Sequence, residues 1–133
     1  ALNLHRVQQI IDIAEQTDRK VDLSGRSLEH VVAIASELGY INIPEGTLIG
    51  IDEIKRYSDD RLVIVTTGSQ GEPMSALSRM AQGGHRKVTV GFNDCVIISA
   101  RPIPGNEKTV YINHSIDINA TDLMCERVIH RWV

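Results

Sequence analysis

The sequence predicts an α/β fold in three layers, a mostly parallel sheet flanked by helices. Three observations predict it. Strand-like and helix-like segments alternate along the 133 residues, the order expected of a parallel sheet crossed by helices. Arg61-Leu62-Val63-Ile64-Val65-Thr66-Thr67 is nearly continuous and β-branched, which suits a strand buried on both faces. Gly/Ser-rich loops stand at strand-to-helix turns, at Ser24-Gly25-Arg26-Ser27 and after Thr67. The length supports one compact domain with a real core, and 42% apolar with 23% charged residues is ordinary for a globular protein.

In chain order, 3–16 reads as a helix, with Val7, Ile10, Ile11 and Ala14 at helical spacing. A short strand follows at 20–24. A second helix carries Leu28, Val31, Val32, Ala35 and Leu38 on its apolar stripe and closes at Gly39. Residues 47–51 are extended and lead into a short helical turn at 52–57. The strand at 61–67 runs into Gly68-Ser69-Gln70-Gly71-Glu72-Pro73, and a third helix starts near Met74 and ends before Gly83-Gly84. Two more strands are predicted at 87–90 and 94–100. Pro102 to Gly105 make a turn, Asn106 onward begins as a helix, and 128–133 reads as a last strand. Starting on a helix and ending on a strand is the layout expected of a parallel-sheet domain cut from a longer protein.

Composition excludes some functions. Net charge is −3, so the basic field of a dedicated nucleic-acid module is missing and any RNA contact must be local or shared with a partner domain. No apolar run approaches a membrane span, and the first residues lack a signal-peptide layout. Cys95 lies in an apolar run and reads as a buried thiol; with Cys125 it fits a reducing cytoplasm. The five histidines show no zinc spacing; His85, after Gly83-Gly84, reads as a residue of a solvated turn. Trp132 reads as packing, and aromatics at 4% do not support extensive base stacking.

Ligands of open α/β sheets bind beyond the carboxyl ends of the strands, which singles out three loops. In Gly68-Ser69-Gln70-Gly71-Glu72, two glycines and a serine expose backbone N–H groups, Pro73 suits a first helical position, and the helix after it favours an oxyanion. Arg79 shares a helix face with Ser75, Ser78 and Gln82 and is placed to reach a phosphate or a neighbouring domain. Glu72 would compete with a phosphate, or brace the loop by pairing with Arg26 or Arg101. The alternative is a tight turn that simply needs two glycines. In the first loop Ser27 is a natural N-cap, while Arg26 offers a guanidinium at a strand end. In the third, Ser99 and Arg101 project near the same edge, ahead of a rigid Pro102–Gly105 bend. Spacing alone thus gives an anion-friendly edge and no catalytic centre.

Taken together the loops resemble one family. The run from Thr66 through Gly68-Ser69-Gln70-Gly71-Glu72-Pro73-Met74-Ser75 to Ala81 is similar to a motif of the RNase J ribonucleases. So are Asn3-Leu4-His5-Arg6-Val7-Gln8-Gln9, Gly25-Arg26-Ser27, and Ser99-Ala100-Arg101-Pro102-Ile103-Pro104-Gly105-Asn106-Glu107. The resemblance covers about residues 1–111. It implies a Rossmann-like β-CASP domain inserted in a metallo-β-lactamase-fold nuclease, which matures and degrades RNA as a 5′-3′ exonuclease and an endonuclease. Two zinc ions in the β-lactamase part generate the attacking hydroxide. The resemblance places Gly68, Ser69, Gln70, Gly71 and Glu72 in the interdomain cleft, and with them Arg26, Ser27, Ser99 and Arg101. The His-x-His-x-Asp-His zinc motif and a later His-Val-Ser-Gly-His segment are not in this sequence, a first strand before Asn3 is reduced to a stub, and 112–127 diverges from the family pattern. The expectation is a single β-CASP-like domain over 1–133 with no metal or catalytic residues of its own. Its expected partners are RNA and the metallo-β-lactamase domain of the parent, and a homo-oligomer stays open. The rivals are a free-standing domain for a nucleotide or phosphorylated metabolite, and a purely structural or dimerisation domain.

Overall fold

The computed structural model describes residues 3–66, 76–91, 94–98 and 127–131. Its elements are α1 (Leu4–Gln16), β1 (Lys20–Ser24), α2 (Arg26–Glu37), β2 (Leu48–Ile49), β3 (Leu62–Thr66), α3 (Ala76–Ala81), β4 (Asp94–Ile98) and β5 (Arg127–Arg131), with single 3₁₀ turns at Ile54–Arg56 and Asp59–Arg61. The five strands form one sheet in the order β2-β1-β3-β5-β4, and every pairing is parallel.

The three layers follow from β3. All five of its residues are buried, and they divide by alternation between two cores. Val63 and Val65 join Val21 and Leu23 of β1 beneath α1 and α2. Leu62 and Ile64 join Leu77 and Met80 of α3 on the opposite side. The unbroken apolar run from Leu62 to Val65 is what a sheet covered on both faces demands.

Helix α1 starts as its sequence directs. The Asn3 side chain accepts from the Arg6 backbone N–H at 3.3 Å, and Val7, Ile11 and Ala14 are buried. Helix α2 differs at its start. Its N-cap is Gly25, at φ 146, and no side-chain cap bond forms. Ser27 therefore sits inside the first turn and is not the cap, because the chain turns directly off β1 through the glycine and the Glu29 N–H reaches the Gly25 carbonyl at 2.9 Å. Of its predicted stripe, Leu28, Val32 and Ala35 are buried while Val31 and Leu38 are exposed. The end is as read: Gly39 takes φ 77, its N–H donates to Ser36, and the Tyr40 N–H donates to Ala35 at 2.8 Å, a Schellman closure.

The strand predicted at 87–90 does not form. Val88 is buried against α3, but the Val90 N–H donates to the Met80 carbonyl at 3.1 Å and the Val88 N–H to His85 Nδ1 at 3.1 Å. Local acceptors hold the donors that a ladder would need. Cys95 is half-buried rather than buried, on an outer strand of the sheet. The helix expected from Asn106 lies outside the described residues.

Candidate nucleic-acid interface

At the carboxyl ends of β1 and β3 the Thr66 hydroxyl donates to the Ser24 carbonyl at 3.3 Å, which ties the two strand ends together. Beyond them opens a cleft of about 510 Å³. Arg26 enters it from the start of α2 and Arg79 from α3. The sequence had placed both at this edge, and the fold brings them onto one cavity. Ser27 does not line it. Gly68, Ser69, Gln70, Gly71, Glu72, Ser99 and Arg101 lie outside the described residues.

The cleft also gathers residues that the sequence reading passed over. After α3, Gly83 (φ 73) turns the chain back, and the Gly84 and His85 N–H groups both donate to the Arg79 carbonyl, at 2.8 and 3.1 Å. This turn lays His85, Arg86 and Lys87 along the cleft wall. His85 is not a solvated turn residue. It is half-buried, and its Nδ1 accepts from the Lys87 and Val88 N–H groups at 3.4 and 3.1 Å. Burial, and then the charge of Arg79, hold its pKa below the ordinary histidine value. Its role is therefore to brace the turn as a neutral ring. The signal in the sequence was Gly83-Gly84 followed by three cationic or titratable residues.

Across the cleft stand Glu29 and Asp52. Lys87 Nζ is 2.7 Å from Asp52 Oδ1. That hydrogen bond and the Lys87 charge, with a lesser contribution from Arg86, hold the Asp52 carboxyl below the usual carboxylate range against the opposing effect of burial. Arg26, Arg79 and Arg86 have no acidic partner among the described residues. Four cations thus meet two carboxylates in a chain whose net charge is −3. Three guanidiniums on one concave surface, none in an ion pair among the described residues, are a site for a bidentate oxyanion such as phosphate.

A second, more apolar pocket of about 600 Å³ adjoins the first and shares Glu29, Ile51 and Asp52 with it. Asp22 lines it, 2% exposed, and its Oδ2 has no hydrogen-bond partner among the described residues. Burial, then Glu29, push its pKa up to about 7.

The family whose model describes the ribonuclease J β-CASP domain matches residues 1–118. This chain belongs to the ribonuclease J β-CASP family. The β-CASP chain is 45% identical over 123 residues to ribonuclease J of Corynebacterium glutamicum, covering 91% of the chain and 17% of that relative. It is 51% identical over 108 residues to ribonuclease J of Helicobacter pylori, covering 81% of the chain and 16% of the relative. It is 47% identical over 111 residues to ribonuclease J of Mycolicibacterium smegmatis, covering 84% and 20%. The chain thus spans 16–20% of the length of these relatives. Among the described residues no three His, Cys, Asp or Glu side chains are grouped to hold a metal ion. Among the same residues no helix is long and apolar enough to cross a membrane.

Proposed function

We propose that this chain binds and positions RNA for a longer cytoplasmic ribonuclease, as one β-CASP domain over 1–133. The observation that carries the proposal is the convergence of Arg26, Arg79 and Arg86 on one cleft at the carboxyl edge of the sheet, none of them paired with an acid among the described residues. Guanidiniums so placed grip backbone phosphates, the part of RNA contact that sets affinity and register. Membership of the ribonuclease J β-CASP family supports RNA as the polyanion. In this reading Gly68, Ser69, Gln70, Gly71 and Glu72, with Ser27, Ser99 and Arg101, extend the same edge, on the strength of the family resemblance. Hydrolysis, both 5′-3′ exonucleolytic and endonucleolytic, belongs to the parent protein, whose metallo-β-lactamase portion would hold two zinc ions. The chain alone is inactive.

The test is RNA binding and cleavage by the purified chain. Single-stranded RNA should bind, and Arg79→Ala should weaken it roughly 5–10-fold, the loss of one phosphate contact. Unchanged affinity in both Arg79→Ala and Arg26→Ala would move the RNA surface elsewhere. RNA cleavage that persists under chelation would show chemistry in this chain itself. Tight binding of a mononucleotide with no preference for RNA would favour a free-standing nucleotide or phosphometabolite domain.

A further inference from the structure

Of the cations in the cleft, Lys87 alone has an acidic partner among the described residues. The Asp52–Lys87 pair joins two parts of the rim, the turn after β2 and the segment after α3. It is asymmetric: the Asp52 side chain is 79% exposed and that of Lys87 34%. An ion pair this open to water is weak and exchanges easily. Among the described residues Asp52 makes no other ion pair. Lys87, by contrast, has a side chain only 34% exposed on a backbone whose N–H reaches His85 Nδ1 at 3.4 Å, so the covered stem keeps the ammonium near the wall when Asp52 leaves.

We propose that Lys87 is a guarded RNA contact: Asp52 occupies it in the free chain, and a backbone phosphate takes the place of that carboxylate when RNA binds. This deepens the RNA reading and rests on it. Arg26, Arg79 and Arg86 already favour phosphates in the same cavity. A phosphate held next to them competes with Asp52 for Lys87 at high local concentration, because the guanidiniums of the same cavity already hold it there. The freed Asp52 then faces the phosphates and repels them, so it restrains binding in both states. Removing it should tighten binding, which removing an ordinary structural pair would not.

The experiment is a double-mutant cycle on the full chain, read as anisotropy of a labelled single-stranded RNA over a salt series. Lys87→Ala should weaken binding roughly 5–10-fold and lower the slope of log Kd on log salt by about 1. Asp52→Asn should tighten binding roughly 3-fold, with most of that gain lost in the Lys87→Ala background. A gain that survives intact in Lys87→Ala would reflect removal of a negative charge in general and overturn the guard. So would no gain at all in Asp52→Asn. If Arg26→Ala and Arg79→Ala weaken binding while the Asp52 and Lys87 variants do not, the guard alone fails. If none of the four changes affinity, the RNA reading fails with it.

Discussion

On β1 a carboxyl sits between two isoleucines. Asp22 pairs in register with Ile49 of β2 and Ile64 of β3, and with its pKa at about 7 against 3.8 for the free side chain it resists ionisation. Folding is thereby linked to proton uptake. The folded pKa is the higher one, so the stability linked to Asp22 is complete below pH 3.8 and is lost as pH rises towards 7. Asp22→Val should flatten that fall and add about 2 kcal/mol at pH 8. Urea midpoints of the two proteins at pH 5 and pH 8 check it, and an equal gap at both pH values would rule the linkage out. Lys-Val-Asp-Leu-Ser was legible as a strand, but the burial of its aspartate was not, because that depends on which strands lie on either side. Arg26 and Arg79 were legible because a strand end and a helix face can be read locally. His85 was misread because its acceptor role depends on a turn that brings its ring to its own following N–H groups.

At the level of elements, local chemistry sets most boundaries. The side chain of Asn3 starts α1, and Gly39 ends α2 with open space where a Cβ would stand. Gly39→Ala should therefore cost about 1 kcal/mol through backbone strain alone, a loss that thermal unfolding would register; no loss would mean that the closure is not held in the left-handed region. Both ends could be read from the sequence. The start of α2 could not, since Ser27 has the right chemistry for a cap but Gly25 makes the turn. Val88-Thr89-Val90 has strand propensity, and its neighbours override it: Met80 and His85 accept the N–H groups first. Propensity describes a segment alone, whereas pairing requires a free partner edge.

For the molecule as a whole, the sheet and its three layers were legible because β3 is apolar from Leu62 to Val65. The cleft was legible only in part. Arg26, Asp52, Arg79, Arg86 and Lys87 come from four stretches of chain that only the fold brings together, and a net charge of −3 conceals a local positive surface. Bulk charge therefore argues against RNA, while placement argues for it.

The strand order has a consequence for how the chain is made. β5 lies between β3 and β4, and β4 has no other partner strand among the described residues. During synthesis β1, β2 and β3 can pair as soon as they emerge, but β4 must wait for residues translated about thirty positions later. Until then the apolar flank of β3 is an open edge, the surface on which nascent chains stick to one another. Arg127–Arg131 thus acts as a clasp that arrives late. A version lacking 127–133 should sediment as aggregate where the full chain stays in the supernatant; equal recovery of both would mean that β3 is protected by something other than its neighbour.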